Sequence, residues 1–232
     1  MHSFPPAFVV TADTARLAQF RAAWRAVGLP SDAVTEWRAC MIPGDGRLGN
    51  AVSQYSLVRH ALAAGLDSLL VFEDDAVPCD DASDALPAEL DAARARGDGC
   101  VRLGWIAGGP SAALTGRTAL GSHAWALLSR DAMLDYADAW PRQGKADVVF
   151  GRLALPVSLA SRCLFVQHVP AGTETPAIHT PRGWVVDWYR RKLVDSYNAS
   201  YRTAARICGG VDHPATVAGS TTPPREEVRP CP

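Results

Sequence analysis

The sequence predicts an α/β sandwich built on a mostly parallel sheet. Short apolar runs such as "AFVV" at 7–10 and "SLLVF" at 68–72 suit buried strands. They alternate with longer segments of helical period, and strand–helix alternation is how helices cross over parallel sheets. A third observation points to function. The most apolar of these strands ends on three adjacent acids, Glu73, Asp74 and Asp75.

The elements follow in order. The strand at 7–10 leads through polar "TADT" into a helix whose apolar face is Leu17, Phe20, Trp24 and Val27, stopped by Gly28 and Pro30. "EWRACM" at 36–41 is a weak second strand. "NAVSQYSLVRHALAAG" at 50–65 is a helix of about four turns closed by Gly65. The strand at 68–72 precedes helix-like "ALPAELDAARARG" at 85–97 and strand "CVRLGW" at 100–105. "HAWALLS" at 123–129 reads as a strand and "RDAMLDYADAW" at 130–140 as a helix stopped by Pro141. "ADVVFGRLAL" at 146–155 is a short helix ended before Pro156, and "RCLFVQHV" at 162–169 is another strand. A long helix rich in aromatic and basic residues spans 183–207, and a Pro/Gly-rich tail spans 209–232. No internal repeat is evident.

A chain of 232 residues holds one good-sized domain or two small ones. Its formal net charge of −1 gives no global pull toward nucleic acid or membrane, although a local patch is still allowed. The start "MHSFPPAFVV" has no basic region ahead of a long apolar core, so no signal peptide is expected. No run approaches the roughly 18 apolar residues of a membrane span, so a soluble cytoplasmic protein with no transmembrane segment is expected. Cys40, Cys79, Cys100, Cys163, Cys208 and Cys231 form no C-x-x-C pair, which speaks for free thiols over a structural zinc site.

The acids need an explanation. Adjacent carboxylates repel, and burying one is costly unless it is paired. In open α/β sheets ligands bind beyond the carboxyl ends of strands, and the acids stand at such an end. Residues i and i+2 of an extended segment share a side, so Glu73 and Asp75 can converge. Clustered hard oxygens suit Mg²⁺ or Mn²⁺, ions that also bind substrate phosphates. The bland alternative is a solvated acidic turn, since Asp80, Asp81 and Asp84 follow closely.

The segment "GRLGNAVSQYSLVRHALAAGLDSLLVFEDDAVP" at 46–78 resembles the signature region of family 25 glycosyltransferases, the lipooligosaccharide and collagen galactosyltransferase type. Gly46, Gly49, Ser53, Glu73, Asp74 and Asp75 match in order and spacing. Asn50 stands where Cys is usual and Gln54 where His is usual, departures that bear on donor identity more than on reaction class. "GSHAWALLSRDAM" at 121–133 resembles the family's later strand and helix, and the opening lacks its Arg-rich loop. The resemblance covers roughly residues 7–170. It implies a GT-A-like three-layer sandwich over residues 1–208, followed by the tail. It also implies a nucleotide-sugar donor, with UDP-hexose favoured, Mn²⁺ or Mg²⁺ as cofactor, and inversion at the anomeric carbon. On this reading Asp75 and Glu73 hold the metal. Glu73 and Asp74 contact the nucleotide, as do Val10 and Thr11 at the end of the first strand, and Ser53.

Other residues admit two readings each. His168 and His179 are candidate metal or donor contacts, or merely hydrogen-bonded histidines; Thr173 and Thr175 between them are substrate contacts or turn residues. Asp147 is the candidate general base for an in-line transfer, or only an acid in a helix's first turn; Glu174 is the reserve base. "GWIAGGPSAALTG" at 104–116 is a lid or a plain loop. The basic, aromatic helix fits an anionic acceptor, either a bacterial glycan or a hydroxylated base in DNA, or else is a solvated face. The rival of another class is a nucleotide- or carbohydrate-binding module that has lost catalysis; intact "EDD" argues against it.

Overall fold

In the computed structural model, which describes residues 4–30, 33–43, 46–106, 115–117, 119–140 and 146–167, the apolar runs pair into one six-stranded sheet. The strands are β1 (Ala7–Thr11), β2 (Val34–Arg38), β3 (Leu69–Glu73), β5 (Cys100–Ile106), β6 (Leu120–Leu127) and β7 (Val157–Leu159). Their order across the sheet is β2-β1-β3-β6-β5-β7. Only β6 runs against the rest: it is antiparallel to both β3 and β5, while β1 is parallel to β2 and β3, and β5 to β7. The fold is therefore the expected α/β sandwich on a mostly parallel sheet.

Alternation along the strands makes the three layers. Val9, Leu70, Phe72, Val101 and Leu103 face Leu17, Phe20 and Trp24 of helix α1 (Thr14–Ala26) and Leu86 and Leu90 of α3 (Ala82–Ala95). Phe8, Val10, Leu69, Val71 and Trp125 turn the other way. They meet Leu57, Val58 and Ala61 of α2 (Gly46–Ala63), Met133 and Tyr136 of α4 (Arg130–Ala139), and Val149 of α5 (Ala146–Val149). Asp13 caps α1, its side chain accepting from the backbone N–H groups of Ala15 and Arg16 at 2.7 and 3.4 Å. Ser129 caps α4 in the same way.

Several elements differ from expectation for identifiable reasons. β6 runs antiparallel to both of its neighbours, and a strand paired antiparallel with the one before it in the chain needs no helical crossover. β2 starts two residues earlier than predicted and α2 four residues earlier. The short helix at 146–155 stops at Val149 and continues as a 3₁₀ turn, Phe150–Arg152. Two strands were too short to show any alternation: β7, and β4 (Ala76–Pro78), which pairs with β8 (Phe165–Gln167) in a separate antiparallel ribbon. The helix at 183–207 and the tail at 209–232 lie outside the described residues. No helix among those described is long and apolar enough to cross a membrane.

This topology brings four strand ends together. Val10 at the end of β1 lies opposite Glu73 at the end of β3. β6 begins beside them, with Ala124 opposite Phe72. The β4–β8 ribbon closes the group, with Gln167 opposite Ala76.

Candidate active site

Each acid is held by a different element. Glu73 Oε1 accepts from Asn50 Nδ2 at 2.9 Å, Gln54 Nε2 at 2.9 Å and Ser122 Oγ at 2.6 Å. Asn50 and Gln54 sit one turn apart on α2, which is why both reach the same oxygen. Asp74 Oδ2 takes a 2.7 Å hydrogen bond from Thr11 Oγ1, and its backbone N–H donates to Val10 O at 3.2 Å. Asp75 Oδ2 accepts from Gln167 Nε2 at 3.0 Å. Arg16, in the first turns of α1, bridges two of the acids, with Nη2 2.7 Å from Asp74 Oδ1 and 3.3 Å from Asp75 Oδ2. The positive group that three carboxylates require is thus present in the chain.

The electrostatics follow from burial. Burial lifts the Glu73 carboxyl to about 7; the Asp75 charge adds to the rise, and the hydrogen bonds from Ser122 and Asn50 oppose it. Burial also raises Asp74, against the Thr11 hydrogen bond and the Arg16 charge. One carboxylate oxygen is left over: Asp75 Oδ1 is buried and has no hydrogen-bond partner among the described residues.

The structure brings Val10, Thr11, Glu73, Asp74 and Asp75 together as the sequence suggested. It gives Ser53 a different place. That side chain is fully buried, and its hydroxyl donates to Gly49 O and accepts from Cys40 N, both at 2.7 Å. It ties α2 to the segment after β2 rather than reaching the acids. Gly49 belongs to the same close approach: a Cβ there would stand 2.5 Å from Cys40 O. Asp147 is half-buried in the first turn of α5, a helix packed against α2 and β6, the elements that hold Glu73. His168, Thr173, Glu174, Thr175 and His179 lie outside the described residues, as does most of the loop at 104–116.

Sequence reasoning missed Arg16, Ser122 and Gln167. Asn50 and Gln54 stood out only as departures from a family pattern, yet two amides four apart on the buried face of a helix are themselves a signal that a polar group lies opposite. Ser122 lies where the register shifts between β5 and β6 around Gly104, an irregularity that re-aims side chains in a way no periodicity reveals.

No family model matches the chain and no curated protein does, so the resemblance to family 25 rests on the motif. Among solved structures, the chain is similar to a glycosyltransferase involved in the glycosylation of the major capsid of PBCV-1. The identity is 8% and the TM-score 0.46, covering 81% of this chain and 100% of that one. It is also similar to a mannose-1-phosphate geranyltransferase from Thermus thermophilus, at 15% identity and a TM-score of 0.34, covering 69% of this chain and 72% of that one. At this level of likeness, function has to be read from the chain's own side chains.

Proposed function

We propose that the chain is a glycosyltransferase that uses a divalent cation, Mn²⁺ or Mg²⁺, to move a hexose with inversion from a nucleotide sugar, UDP-hexose favoured, to an acceptor hydroxyl. The acceptor that fits best is an anionic glycan. One observation carries the reading: Asp75 Oδ1, a buried carboxylate oxygen with no partner among the described residues, stands in an acidic cluster beyond the carboxyl ends of two central parallel strands. A buried carboxylate oxygen with no partner is costly, Arg16 and Gln167 reach only the other oxygen of Asp75, and one or two carboxylates plus phosphate oxygens are how Mg²⁺ and Mn²⁺ are commonly held. Among the described residues no group of three or more His, Cys, Asp or Glu side chains converges, so the fit is to an ion held by one or two carboxylates and completed by phosphate oxygens. Asp75 would hold it, with Glu73 beside it, and His168 and His179 are the further candidates outside the described residues. When bound, the ion supplies charge stabilisation for the departing nucleoside diphosphate.

The protein's own groups do the rest. Thr11 and the Val10 carbonyl fix Asp74, and Gln167 fixes the orientation of Asp75. Asn50, Gln54 and Ser122 hold Glu73 so that the three acids do not swing apart. Arg16 balances the charge of Asp74 and Asp75. In the transfer, the acceptor oxygen bonds to the anomeric carbon as the bond to the diphosphate oxygen breaks, and the acceptor proton passes to Asp147, with Glu174 the reserve.

The experiment is a hydrolysis and transfer assay with a panel of nucleotide sugars and Mn²⁺, on the native chain and on Asp75→Ala. The variant is expected to stay folded, to lose transfer, and to lose the Mn²⁺ enhancement of UDP binding. Full activity of Asp75→Ala in the presence of a chelator would overturn the proposal.

A further inference from the structure

Arg16 is the third residue of α1. The helix starts where β1 ends, and Val10 of β1 lies opposite Glu73, so Arg16 stands beside the acids at the carboxyl edge of the sheet. Its Nη2 is 2.7 Å from Asp74 Oδ1 and 3.3 Å from Asp75 Oδ2. Among the described residues its ion pairs use that one nitrogen, so they leave the Nε and Nη1 edge of the guanidinium unused. The side chain is 43% exposed, within reach of a ligand in solution.

Stability is a weak reason for this arrangement, because an ion pair with one partner so exposed contributes little. Nor do the acids need Arg16 to hold them. Thr11 Oγ1 already fixes Asp74 Oδ2 at 2.7 Å, and Gln167 Nε2 fixes Asp75 Oδ2 at 3.0 Å. The dependence runs the other way. Two anchored carboxylates grip one corner of a long, flexible side chain and set the direction of the rest. A guanidinium held at one corner presents its other N–H groups in a fixed plane, and that fork matches the oxygens of a phosphate. Charge argues the same way. Glu73, Asp74 and Asp75 repel a diphosphate, and one divalent ion does not offset both the acids and the phosphates, so a second cation is called for beside them.

We propose that Arg16 is a contact for the donor's diphosphate: Asp74 and Asp75 orient it, and its outer edge binds the phosphate oxygens. This rests on the nucleotide-sugar reading above and gives two of the acids a further role, the aiming of a cation. A donor so placed stabilises the charge that grows on the departing diphosphate.

The test is titration calorimetry on the full chain with Mn²⁺ alone, with the Mn²⁺–pyrophosphate complex, and with inorganic pyrophosphate in a chelator. Arg16→Gln is expected to melt close to the native chain and to bind Mn²⁺–pyrophosphate at least about tenfold more weakly, the loss expected of one charge-assisted hydrogen bond. It is expected to bind Mn²⁺ alone no more weakly than the native chain, because a positive charge beside Asp75 has gone. Arg16→Lys keeps the charge without the fork and is expected to fall between the two. UDP in place of pyrophosphate is expected to follow the same order. If Arg16→Gln weakens Mn²⁺ and pyrophosphate alike, Arg16 only holds Asp75 in place, and the proposal fails while the reading of the site stands. If the variant binds pyrophosphate as tightly as the native chain, the proposal fails in the same way. If pyrophosphate binding falls in the variant but is indifferent to Mn²⁺, Arg16 is upheld and the metal-dependent reading fails. If the native chain binds neither pyrophosphate nor UDP, both fail.

Discussion

Glu73→Gln separates the shape of a side chain from its charge. The amide oxygen can still accept from Asn50, Gln54 and Ser122, so the local packing is kept. A carboxyl whose folded pKa stands above its unfolded value stabilises the fold below the unfolded pKa and loses that contribution as pH rises through the folded one. For Glu73 the window runs from 4.5 to about 7. Above it the folded protein carries a buried charge that the unfolded chain ionises freely. At about 1.4 kcal/mol per pKa unit the penalty reaches about 3 kcal/mol. The variant escapes it. Urea unfolding with a chelator present should find Glu73→Gln more stable than the native chain by under ~1 kcal/mol at pH 5 and by about 3 kcal/mol at pH 8, with unchanged m-values. A gap of the same size at both pH values, or no gap at pH 8, would show that the carboxyl is not held in the buried, charge-crowded setting described.

Asp147→Asn keeps shape and removes a proton acceptor, so turnover should fall by about 10²–10⁴-fold with donor binding little changed; lost donor affinity with normal turnover at saturation would make Asp147 a binding residue instead. Gly104→Ala should cost about 1–3 kcal/mol in urea unfolding, because the new methyl meets both the His123 ring and the backbone of Phe165; a change under ~0.5 kcal/mol would contradict that tight approach. Replacing Arg190, Arg191 and Lys192 with Ser should raise the acceptor KM, more so at low salt, and leave donor hydrolysis alone; an unchanged KM would make that basic segment a solvated face.

The layers were legible in the sequence because burial on both sides leaves an unmistakable mark: "AFVV" and "SLLVF" have few other places to go. The acids were legible because charge at the end of such a run demands a reason. What could not be read was anything set by pairing at a distance. Nothing local says that β6 runs backwards. Nor does anything local say that "AVP" finds its partner in "FVQ", or that Gln167 reaches Asp75. Ser53 shows the opposite failure: a motif position matched in type and spacing, but its hydroxyl is consumed by backbone groups of its own neighbourhood.

The contacts that hold the three acids are far apart along the chain. Thr11 reaches Asp74 across 63 positions, Ser122 reaches Glu73 across 49, and Gln167 reaches Asp75 across 92. Closing such long loops costs entropy before any contact rewards it, so pairings of this kind tend to form late in folding. Local contacts such as Phe20 on Trp24, four positions apart, can form well before these. A half-folded or still-growing chain thus offers loose acids, and the set of contacts that holds all three is complete only when β8 has docked. Ligand binding in this protein would report the last step of its folding, and truncation before Gln167 would silence the site while leaving most of the sheet to form.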